Sequence, residues 1–139
     1  NYIMATLLSG NQIASLITAG TFLWGVGVVK IRYAASLCYS NKQKRLATFL
    51  VTLPLSYGMV RAVEAIFVRT PIQRFPVITI LAGTTLILDG IGFNFFPWLY
   101  ENEQVKKINP QVAAEYSRAG AAWLLYGTGM CIFIAAIIS

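Results

Sequence analysis

The chain has 139 residues, 57% of them hydrophobic and only 12% charged, with a formal net charge of +6. Charged residues are about half as frequent as in a typical soluble domain. Together with a mean hydropathy of +0.64, this excludes an ordinary water-dissolved globule and points to lipid as the main solvent. The length leaves room for one domain, and the basic residues are scattered between apolar blocks, which fits topology fixing and argues against nucleic acid as a partner.

Histidine is absent, so the commonest transition-metal ligand and the usual general base are missing. Cys38 and Cys131 form no CxxC pair. No metal is expected, and bound lipid is the cofactor class that such a composition allows.

Four windows reach the roughly 20 apolar residues that a helix needs to cross about 30 Å of hydrocarbon. The first, 7–29, is closed by Lys30 and Arg32. The following "YAASLCY" suits a helical extension in the interface, where tyrosine is favoured. The second window, 46–68, follows "NKQKR" and contains Pro54, which is expected to kink it. Arg61 and Glu64 are three residues apart within it and share a helix face. "VRTPIQRFP" then allows only a tight hairpin, so the second and third windows are expected to be antiparallel neighbours. The third window, 75–99, carries Asp89 and ends in a crowd of aromatics, Phe93, Phe95, Phe96, Trp98 and Tyr100, arranged as an interfacial belt would be. Pro97 should loosen its last turns. In the next loop, Asn109 and Pro110 read as the cap and first residue of a short helix near 110–116. The fourth window, 119–139, has no charge at all.

These features predict an all-α fold: a polytopic membrane protein, residues 1–139 forming one four-transmembrane-helix bundle. A membrane interior favours helices because every backbone donor must find its partner locally. The first and third connections hold most of the lysine and arginine, which places them in the cytoplasm and both termini on the other side.

Asp89 is the residue that composition leaves unexplained. An ionised aspartate near mid-bilayer costs about 2.5–3.5 kcal/mol on insertion scales, so it must be paired, hydrated or protonated. Arg61 and Glu64 are the nearest charged candidates in the second window. At 1.5 Å per residue, however, the depths of Arg61 and Asp89 differ by about 10 Å, which makes Arg61–Glu64 the easier pair. Asp89 is then left to water or to neutral groups such as Thr84, Thr85, Asn94 or Tyr57. The candidate ligand or proton site is therefore Asp89, Arg61, Glu64, Asn94 and Tyr57. Gly25, Gly27, Gly90, Gly92, Gly127 and Gly129 are candidates for close helix packing, which small residues mediate in membranes.

Three segments, "TFLWGVGVV", "ILDGIGFNFFPWLY" and "AAWLLYGTGM", are similar to a poorly characterised bacterial family of short membrane proteins with four predicted helices. That resemblance implies a four-helix fold and carries over no catalytic residue. The expected activity is that of a non-enzymatic transporter or permeation protein in a bacterial inner or thylakoid-type membrane, surrounded by membrane lipid and paired as a homodimer. The alternative is an accessory subunit of a larger respiratory or photosynthetic complex. An intramembrane enzyme is disfavoured because no nucleophile–base pair is visible.

Overall fold

The computed structural model describes residues 8–138. Among them there are five α-helices and no strand: α1 (Gly10–Tyr39), α2 (Lys42–Phe67), α3 (Arg74–Phe95), α4 (Glu103–Ile108) and α5 (Pro110–Ile138). All but α4 are long and apolar enough to cross a membrane. The ends of the outer predicted windows, Leu7 and Ser139, lie outside the described residues.

Side-chain caps set where the helices begin. Ser9 and Gln12 form a reciprocal capping box at α1, Ser9 Oγ accepting from the Gln12 amide at 3.2 Å and Gln12 Oε1 from the Ser9 amide at 3.0 Å. Asn41 accepts from the Lys44 amide and starts α2 only two residues after α1 ends. Asn109 accepts from the amides of Gln111 and Val112, with Pro110 in the first helical position of α5.

α1 runs past Lys30 to Tyr39, in keeping with the expected interfacial extension, and at 30 residues it is about 45 Å long, so its last turns overshoot the hydrocarbon. Two boundaries differ from expectation. The short helix expected at 110–116 is the opening of α5, and a separate short helix, α4, precedes it. α3 stops at Phe95 because Pro97 cannot extend the hydrogen-bond ladder, and a 3-10 turn, Pro97–Leu99, follows. Pro54 is accommodated inside a continuous α2.

Small residues decide which helices meet. A Cβ on Gly20 would stand 2.8 Å from Thr84 Cβ, and one on Gly120 would stand 2.7 Å from Ile31, so α1 lies directly on α3 and on α5. α5 also packs along α2 and α3, whereas α2 and α3 touch least of all the long helices. The expected α2–α3 neighbourhood holds at the hairpin, where Glu64 of α2 pairs with Arg74 of α3, but the more extensive contacts are made by α1 and α5, which carry glycines at their contact points.

The side chains sort as lipid requires. Phe22, Leu37 and Ile66 are each more than 70% exposed, which apolar surroundings make favourable. Inside, one aliphatic cluster (Leu16, Val60, Val63, Val77, Ile78, Leu81, Ala135) fills the end near Gln12, and a second cluster around Val28, Ile31 and Tyr100 fills the other end.

Candidate functional site

The chain reverses after α3, and that reversal explains Asp89. The 3-10 turn at 97–99 brings Tyr100 back under the last turns of α3, where it is 1% exposed and stacks on Phe93 with ring centroids 3.7 Å apart. Gly92 makes room for it: a Cβ there would collide with the Tyr100 ring. The Tyr100 hydroxyl donates to Asp89 Oδ1 at 3.0 Å and accepts from Trp24 Nε1 at 3.1 Å. The Trp24–Tyr100–Asp89 relay thus links α1, the loop and α3. Burial pushes the Tyr100 phenol above its ordinary range, so it stays a hydrogen-bond donor. Asp89 itself is only 7% exposed.

The charged residues expected around Asp89 are elsewhere. Glu64 is held between Arg61, at 2.8 Å, and Arg74, whose Nε donates to Glu64 Oε1 at 2.8 Å. Arg74 also reaches the Ile138 carbonyl and so ties the end of α5 to the same cluster. Asp89 lies about 22 Å along α3 from Arg74 at 1.5 Å per residue, which places the two groups near opposite ends of the bundle. Thr84 and Thr85 donate to carbonyls of their own helix, at Ile80 and Ala82. Tyr57 and Asn94 are exposed on outer faces. The structure therefore keeps Asp89 as a buried acid and keeps the Arg61–Glu64 pair, but it does not bring them together.

Asp89 lines a cleft of about 300 Å³ bounded by α1, α2, α3 and α5. Most of its wall is apolar, including Leu23, Leu55, Leu81 and Leu124. Lys30, Trp24, Thr52, Ser56, Thr85, Trp123 and Thr128 supply the other polar groups. The Lys30 ammonium sits over the Trp123 ring, 3.5 Å from its centroid, and donates to the Tyr39 hydroxyl at 2.8 Å. Trp123 Nε1 in turn donates to Thr52 Oγ1 at 2.7 Å. Neither Asp89 nor Lys30 takes part in an ion pair among the described residues. One cleft thus holds an acid and an ammonium at separate points, each satisfied by aromatic neighbours. Among the described residues no three His, Cys, Asp or Glu side chains gather as a metal site would require.

Lys30, Trp24, Trp123 and Tyr100 were not in the sequence-based set. For Lys30 a signal existed: α1 buries Leu16, Gly20, Gly27, Ile31 and Ala35, and Lys30 follows Gly27 by three residues on that face. Of the candidate glycines, Gly27 faces Leu124, Gly92 faces Tyr100 and Gly127 faces Thr52. Cβ atoms on Gly25, Gly90 and Gly129 would meet nothing within 4 Å, so those three make no close approach within the chain. The small residues at the tightest helix contacts are Gly20 and Gly120.

The fold and the cleft define a class: a small polytopic four-helix membrane protein with an acid and a lysine in one interhelical cavity. No family model matches the chain, and no curated protein or solved structure is found similar to it.

Proposed function

We propose that this chain is a small non-enzymatic transporter or permeation protein whose acidic site is Asp89. The observation that carries the reading is the joint placement of Asp89 and Lys30, with no other charged residue, in a mostly apolar cleft of about 300 Å³. That volume is at the small end of the roughly 300–1,000 Å³ range of ligand pockets. An intramembrane carboxyl group costs free energy to bury, and proton relays and substrate paths are where such groups are found. The Arg61–Glu64–Arg74 cluster then closes the opposite end of the bundle and takes no part in coupling.

A bacterial inner or thylakoid-type membrane is the proposed setting, with both termini on the non-cytoplasmic side, following the Lys and Arg bias of the loops. A homodimer is the proposed assembly, the open surfaces at Gly25, Gly90 and Gly129 being available to a second copy. Purified protein in vesicles carrying an internal pH dye tests the reading. Wild type dissipates an imposed proton gradient faster than empty vesicles, and Asp89→Asn returns the rate to that of empty vesicles. Equal rates in wild type and Asp89→Asn overturn the assignment.

A further inference from the structure

The residues that line the cleft do not all face inward. Val26 of α1 and Leu55 and Met59 of α2 belong to its wall, yet they are 52%, 52% and 37% exposed. All three lie within helices of membrane-spanning length. The cleft therefore has a mouth between α1 and α2 that opens sideways, toward hydrocarbon. Whatever enters by that mouth must be dissolved in the bilayer.

The charges inside fix its polarity. Trp24 reaches Asp89 through Tyr100, whereas Lys30 lies six residues further along α1, about 9 Å at 1.5 Å per residue, and extends on to Tyr39. The two groups thus stand at different heights. The Lys30 ammonium has three donors, and no carboxylate lies within ion-pair distance of it among the described residues. It stands toward the end of α1 that overshoots the hydrocarbon, where a headgroup would be. The Asp89 carboxylate at the deeper level repels a second anion, so only a molecule with its negative charge at the Lys30 end is complementary. The small volume admits one chain.

Resting on the proposed transport reading, we infer that the cleft takes a single-chain anionic amphiphile from the bilayer, its head at Lys30 and its chain beside Val26, Leu55 and Met59. Trp24 and Trp123 line the cleft, while Trp98 is exposed outside it. These positions supply an internal probe. Protein carrying Trp98→Phe, in nanodiscs of unlabelled phosphatidylcholine at pH 8, is titrated with a mid-chain-brominated fatty acid and with its uncharged methyl ester.

The carboxylate quenches tryptophan emission saturably and at lower mole fraction than the ester. Lys30→Gln weakens the carboxylate about tenfold, as loss of one charge-assisted contact would, and leaves the ester unchanged. Lys30→Arg retains the preference, and Leu55→Phe with Val26→Phe, two changes on the exposed rim, diminish quenching by both probes. Inorganic phosphate does not compete. The inference is overturned by linear quenching that never saturates, by equal response to acid and ester, or by a Lys30→Gln variant that keeps its helical circular dichroism and the wild-type preference. Asp89→Asn separates the two readings. If it binds the carboxylate and conducts protons like wild type, the transport assignment falls and the lipid site stands. If the carboxylate shows no preference in a wild type whose gradient dissipation depends on Asp89, the lipid site falls and the transport assignment stands.

Discussion

At the Gln12 end of the bundle, Glu64 lies between two arginines, Gln12 donates to Gln73 at 3.4 Å, and a purely aliphatic cluster fills the space beneath. At the Tyr39 end, Lys30 and Asp89 lack ion-pair partners among the described residues, and tyrosine and tryptophan satisfy them across a partly empty cleft. Both ends bury charge next to lipid. The first sets opposite charges in direct contact. The second keeps its acid and its ammonium apart, each bonded to neutral aromatic groups. The contrast separates an end closed by ion pairs from an end that keeps an open cleft.

Substitutions at each end sharpen this contrast, with unfolding by a denaturing detergent as the common measure. The largest effect is expected for Glu64→Ala. Its partner Arg74 is only 14% exposed in its side chain, and a buried guanidinium left without its carboxylate destabilises by about 3 kcal/mol or more. A loss under 1 kcal/mol would show that water already compensates Arg74 and that this end is not welded by charge.

Tyr100→Phe comes next. It removes the donor to Asp89 and the acceptor for Trp24 together, and leaving buried polar groups unsatisfied costs about 1–3 kcal/mol each. This variant also carries a pH test. The phenol is raised from 10.0 by burial, so its contribution is complete below that value and is lost as pH climbs above it. Wild type should therefore lose stability above about pH 10 more steeply than Tyr100→Phe, and parallel curves would contradict the buried hydroxyl. Gly92→Ala should cost about 1–3 kcal/mol by overpacking against the same ring, with a shift in Trp24 emission as Tyr100 is displaced. The smallest effect is expected for Arg61→Ala. Its side chain is 53% exposed, and exposed pairs contribute under about 1 kcal/mol. If Arg61→Ala were as damaging as Glu64→Ala, the ranking of the two arginines would be wrong.

The sequence made these two ends unequally legible. Span length and apolarity located four crossing helices, because hydrocarbon thickness imposes a requirement that can be counted along the chain. The i,i+3 spacing made Arg61–Glu64 readable, since helix geometry alone brings those side chains together. Arg74 on Glu64 was not readable, because it depends on how the 68–73 turn folds. The Asp89 partner was hidden for a similar reason. Tyr100 belongs to the aromatic run at the end of the third window, and only the break at Pro97 with the missing side chain at Gly92 turns it back inside. Helix adjacency was legible only in part. Chain proximity keeps α2 beside α3 at the hairpin, whereas the more extensive contacts of α1 with α3 and of α2 with α5 follow from packing that no local spacing encodes. Gly20 and Gly120 make the tightest helix contacts, and neither belongs to the closely spaced pairs Gly25 and Gly27, Gly90 and Gly92, or Gly127 and Gly129.

Carbodiimide labelling in native-like vesicles, mapped by mass spectrometry, tests the central claim most directly: Asp89 lines a cleft reached from the lipid, whereas Glu64 is sealed by arginines. The account predicts that a lipid-soluble carbodiimide modifies Asp89 well before Glu64, and that a water-soluble one modifies Asp89 far more slowly. Equal modification of Asp89 by both reagents, or preferential modification of Glu64 by the lipid-soluble one, would contradict it.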